Sequence, residues 1–104
     1  MNTTFIEGNT SNLKMNEKGN FISFSLAENI SFKNKDDQKV TETHWYNVIA
    51  YNGTAKFIER NIVQGDKVLI QGRLTTSSYE KDGQKVSTVQ IVANDVRVTS
   101  RKQQ

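Results

Sequence analysis

Cysteine and proline are absent from the 104 residues, and histidine and tryptophan occur once each, as His44 and Trp45. Without cysteine there is no disulfide frame, no thiolate zinc cluster and no thiol nucleophile. His44 has no cysteine to share a metal with, and it lies on an alternating segment, so it reads as an ordinary strand residue. Asp36-Asp37 sits among lysines between Lys33 and Lys39 and reads as a solvated loop rather than an acid/base pair. No glycine-rich phosphate loop or nucleophile elbow occurs. The expectation is a protein that is not an enzyme, with no cofactor and no metal. Apolar runs are only a few residues long, too short to span a bilayer. The opening Met-Asn-Thr-Thr lacks the charged and apolar regions of a signal peptide. A soluble, cytoplasmic protein of a reducing compartment, without a membrane partner, is expected.

Apolar residues are also scarce, at 35%, against a usual value of about 45–50% that counts glycine. A lean core suits long half-exposed strands, or a subunit that gains stability from copies of itself. Fourteen Lys and Arg outnumber eleven Asp and Glu, for a net charge of +3, which permits a polyanionic partner. The length fits a single domain, placed at residues 1–100, with a short basic and polar tail at 101–104 expected to fray.

Period two dominates what is present. Ile22, Phe24, Leu26, Ile30 and Phe32 alternate with mostly polar residues, as a half-buried strand requires. From Thr43 to Tyr51, Tyr46, Val48 and Ala50 share one face and Trp45, Asn47, Ile49 and Tyr51 the other. Strands are also expected from Thr4 to Glu7, Lys67 to Thr75 and Val86 to Val98. Between Gly53 and Asn61 the rhythm changes. Ala55, Ile58 and Ile62 fall at spacings three and four, predicting a short amphipathic helix with Thr54 as its cap and Phe57 in the core. Asp82-Gly83 predicts a tight hairpin turn. Five strands, with one helix between the third and fourth, is the order of an all-β OB-fold barrel.

Trp45 and Tyr51 are six residues apart and therefore share a face, away from Tyr46, Val48 and Ala50. That face suits a stacking platform or a subunit interface. Lys33 and Lys35 follow Phe32, and Lys81 and Lys85 flank Tyr79. Exposed rings beside cations suit single-stranded nucleic acid, whose unpaired bases stack on the rings while the cations track the phosphates. Phe32 has the parity of Ile22, so a bulge is needed to turn it outward.

The ordered motifs carry a resemblance to bacterial-type single-stranded DNA-binding proteins. Phe5-Ile6-Glu7-Gly8-Asn9, Thr43-His44-Trp45-Tyr46-Asn47-Val48, Tyr51-Asn52-Gly53 and the block from Gly65 to Leu74 each resemble a segment of that family, as does Tyr79 ahead of Asp82-Gly83. The resemblance runs from about Phe5 to Val98. It implies an OB-fold, sequence-independent binding of single-stranded DNA in replication, recombination or repair, and a homotetramer, with a dimer as the alternative. It maps the stacking aromatics onto Phe32, Trp45, Tyr51 and Tyr79, and this carry-over supports an outward Phe32. Lys33, Lys35, Arg73, Lys81 and Lys85 are the candidate phosphate contacts. Asn47, Gln64, Ser77 and Ser78 stand where the family often has basic residues. The acidic recruiting tail that such proteins carry is not expected here, so the expectation is either a minimal form, as in phage, plasmid or accessory versions, or a protein that docks its replication and repair partners differently.

Two other readings belong to different classes. A primosomal replication protein N-like OB protein acts mainly as a helicase-loading module and is dimeric. A purely structural OB subunit buries the Trp45–Tyr51 face against protein and binds no nucleic acid.

Overall fold

The fold was obtained as a computed structural model and is described here for residues 1–101. Five strands and one helix follow in the order β1 (Thr4–Met15), β2 (Phe21–Lys33), β3 (Lys39–Tyr51), α1 (Asn52–Asn61), β4 (Lys67–Lys81) and β5 (Gln84–Ser100). The strands close into a barrel with neighbours β1-β2-β3-β5-β4. All pairs are antiparallel except a short parallel contact of β3 with β5, in which Asn47, Ile49 and their neighbour Val48 meet Gln90, Val92 and Ile91. This is the OB-fold barrel expected from the element order. Most of the chain tail expected at 101–104 lies outside the described residues.

Alternation builds the core. Ile22, Phe24 and Leu26 of β2 face Val48 and Ala50 of β3 and Val68, Ile70, Ile91, Ala93 and Val96 of β4 and β5, all of them buried. Ala55, Ile58 and Ile62 plug one end of the barrel, as their spacing requires. Phe57 departs from expectation: it is 44% exposed, because it lies about 100° around the helix from Ile58. Thr54 is not the cap either. The residue before α1 is Tyr51, extended at φ −124 and ψ 153, and no side chain caps the helix.

Two hairpins extend past the barrel. β2 and β3 stay in register through thirteen pairs, from Phe21↔Tyr51 to Lys33↔Lys39. β2 ends just past the alternation that announced it, whereas β3 begins at Lys39, well before the expected Thr43. Asn34 closes the turn, its Oδ1 accepting from the Asp36 and Gln38 amides at 2.9 and 3.0 Å. β4 and β5 pair from Gly72↔Ala93 out to Lys81↔Gln84, where Asp82 and Gly83 take φ values of 52 and 78. Positive φ at both central residues is what a type I′ turn needs. These arms raise the radius of gyration to 15.7 Å, compared with about 13 Å for a compact domain of about 100 residues.

Gly72 sits beside the register shift at Gln71/Gly72, where β4 crosses β5 closely. A Cβ there would lie 2.2 Å from the Val92 carbonyl oxygen. Only glycine permits that approach, and the shift reverses which residues of β5 face inward.

Candidate nucleic-acid interface

Side chains of paired strand residues share a face, so the register settles which candidates come together. One outward row reads Ser11–Ser25–Asn47–Gln90–Thr75 across all five strands. The next row reads Lys14–Ser23–Ile49–Val92–Arg73. Trp45, opposite Ala27, lies beside the first row, and Tyr51, opposite Phe21, beside the second. Tyr79, opposite Val86, and Lys81, opposite Gln84, continue this face along the β4–β5 arm, and Lys33 and Lys39 end it on the β2–β3 arm.

Trp45 and Tyr51 are 61% and 49% exposed, and six strand residues set them about 20 Å apart. The Phe21 ring packs against Tyr51 with centroids 5.3 Å apart at 57°, which steadies the tyrosine. Tyr79 is 51% exposed. Charge is segregated in the same way. Lys14, Lys33, Lys39, Arg73 and Lys81 occupy paired positions of this face, and no Asp or Glu does. Glu28, Glu42 and Glu80 all point to the other side of their ribbons. On that side Tyr46 Oη donates to Glu28 at 3.1 Å, and His44 stands between Glu28 and Glu42. Burial, and then the hydrogen bond to the Glu28 carboxylate, push the Tyr46 phenol pKa up from its ordinary value.

The structure does not gather every candidate. Phe32 is 43% exposed, yet no bulge turns it, since its pair with Val40 continues an unbroken register. It keeps the parity of Ile22 and becomes accessible because the arm outruns the barrel, leaving no core beneath it. Phe32 therefore lies across the ribbon from Trp45. Lys85, paired with Glu80, likewise lies across the ribbon from Tyr79. Lys35 belongs to the Asn34–Gln38 turn, at the tip of the arm. Lys14, Lys39 and Phe21 were missed as members of the face. Their only signal is pairing across strands, which a single sequence does not display.

The family model described as single-strand binding protein family matches residues 1–99. The chain belongs to that family. Among relatives of the single-strand binding protein family, the single-stranded DNA-binding protein of Aquifex aeolicus is 36% identical over 80 residues, covering 77% of this chain and 54% of that protein. The single-stranded DNA-binding protein of Fusobacterium nucleatum is 33% identical over 91 residues, covering 86% of this chain and 59% of the relative. The chain thus spans somewhat over half the length of these family members. The fold is that of a Plasmodium falciparum SSB solved with ssDNA, with a TM-score of 0.82, 20% identity and 96% of each chain covered. It is also that of a small single-stranded DNA-binding protein from Streptomyces coelicolor, with a TM-score of 0.71, 21% identity and 92% of each chain covered. The primosome-type alternative is not favoured by these likenesses.

Proposed function

We propose that the chain binds single-stranded DNA independently of its sequence, in replication, recombination or repair, and is not an enzyme. The observation that carries this reading is the outward sheet face on which Trp45 and Tyr51 stand exposed among cations, with no carboxylate at any paired position. Bases freed from pairing stack on these rings, and Lys14, Arg73 and the arm lysines follow the phosphates. Duplex DNA hides its base faces and fits this surface poorly. Family membership and relatives named single-stranded DNA-binding proteins support the same reading.

The protein is proposed to act as a homo-oligomer, a tetramer before a dimer. Support comes from a second outward surface, on β1, β4 and β5, where Phe5 is 64% exposed beside Leu69, Gln71, Asp95 and Arg97.

Titration with oligo-dT is expected to quench Trp45 fluorescence, and the affinity is expected to fall as salt rises, with a log–log slope of about 0.7 per phosphate neutralised. Equal affinity for duplex and single strand, or an unquenched Trp45 at low salt, would overturn the reading.

A further inference from the structure

Two exposed patches lie off the cationic face, and their charges are opposite. The first is the back of the β2–β3 arm, on the side away from Trp45. The register sets Glu28 opposite His44, Ile30 opposite Glu42 and Phe32 opposite Val40 there, and no Lys or Arg occupies these paired positions. Phe32 stays exposed at its end because the arm has no core beneath it. The second patch is the outer face of α1. Ala55 and Ile58 are buried in the barrel. The 100° helical step then turns Lys56, Phe57 and Arg60 outward and leaves Glu59 on the flank. Phe57 is exposed, and Val63, just past the helix, adds a second exposed apolar side chain. Neither Lys56 nor Arg60 makes an ion pair with another described residue. Each patch thus joins an exposed ring to charge, acidic on the arm and basic on the helix. β3 separates them. It runs from Lys39 in the arm to Tyr51 at the start of α1, a span of roughly 40 Å at about 3.3 Å per residue.

We propose that the acidic back of the arm of one copy of this chain docks on the basic outer face of α1 of the next copy along a single strand. This rests on the single-strand reading above and adds to it the surface by which neighbouring copies grip each other. Patches at opposite ends of β3 meet between copies, head to tail, and a head-to-tail contact that does not close into a ring continues as an open row. Opposite charges favour the encounter and fix its direction, so successive copies face the same way. Exposed ion pairs contribute only about 0.2–1 kcal/mol each, too little to hold free copies together. Neighbours on one strand are held at a high effective concentration, and there the same contact counts. It is separate from the surface around Phe5, which lies on β1, β4 and β5.

The test compares affinity per bound particle on long poly-dT with affinity for an oligo-dT just long enough to hold one particle. The substituted positions are all exposed. Lys56→Glu combined with Arg60→Glu is expected to leave the short-strand affinity unchanged and to lower the poly-dT affinity roughly three- to thirtyfold, the worth of two exposed ion pairs. Glu42→Lys should lower the poly-dT affinity from the other side of the contact. Joining all three substitutions in one chain restores opposite charges and should recover part of the loss. An unchanged poly-dT affinity in both variants, or no recovery when they are joined, overturns the contact while leaving single-strand binding intact. An equal loss on the short strand also overturns it, because the α1 cations would then belong to the strand path. A wild type that binds neither strand removes the single-strand reading itself, and this contact with it.

Discussion

Trp45 and Phe32 are both exposed rings on one hairpin, but their parity separates them. Trp45 stands on the side that carries only cations, whereas Phe32 shares its side with Glu28 and Glu42. A phosphodiester strand that stacks on Phe32 approaches those carboxylates, and one that stacks on Trp45 does not. Trp45→Ala is therefore expected to weaken oligo-dT binding by the worth of one stacked base, about 1–3 kcal/mol, or roughly five- to 150-fold. Phe32→Ala should cost clearly less, and Lys14→Ala should mainly lower the salt slope, by about 0.7. Anisotropy titrations of the three variants at two salt concentrations would check the order, and a Phe32→Ala loss equal to that of Trp45→Ala would contradict the assignment of faces.

The elements are tied at one point that composition does not announce. Asp66, in the turn between α1 and β4, is fully buried. Its carboxylate accepts from the Val63 amide at 3.1 Å and from the Arg101 guanidinium at 3.1 Å. Thr10 of β1 donates its amide to the Asp66 carbonyl at 2.9 Å. Arg101 also donates to the Asn61 carbonyl at the end of α1, a contact that links the end of β5 to the helix. Asp66→Ala removes the buried carboxylate that accepts from the Val63 amide and the Arg101 guanidinium, and since hydrogen bonds to a charged group contribute about 1.5–3 kcal/mol, a loss of that order is expected. Arg101→Ala removes a largely exposed cation and should cost under about 1 kcal/mol. Thermal unfolding of the two variants separates these values, at about 4–8 °C per kcal/mol. In the sequence, Gln64-Gly65-Asp66 reads only as a turn, since burial of its carboxylate depends on β1 and on the residue that follows β5. Strand positions inside the barrel were legible because Ile22, Phe24 and Leu26 alternate against a core. The start of β3 and the end of β4 were not, because both faces of the arms meet water and Lys39 to Glu42 carries no apolar period. Phe57 and Phe32 misled for a related reason. Hydrophobicity and parity locate a core only where other elements cover it.

At the scale of the whole molecule, the lean composition has a structural cause. The chain extends 51 × 44 × 30 Å, and its arms expose strand that a compact domain would bury. Large apolar side chains remain in water, Phe5 among them. On the surface of β1, β4 and β5 this ring adjoins Leu69, with Glu7, Lys67, Asp95 and Arg97 around it. Glu7 and Lys67 are themselves paired at 3.5 Å. An apolar centre ringed by charges of both signs has the anatomy of a subunit contact, and it lies apart from the cationic face. The proposed self-association and the proposed strand binding are then separable. Phe5→Lys places a charge at the centre of that contact, where it has no partner, and is expected to shift the protein to a smaller species by light scattering. The substituted chain should still quench Trp45 on a short oligo-dT, because the stacking face is untouched. It should lose affinity for a long one, since subunits joined in one particle engage a strand at high effective concentration and separate subunits do not. A Phe5→Lys protein of unchanged mass would place the subunit contact elsewhere on the barrel, and one that lost short-strand binding as well would show that the two faces act together.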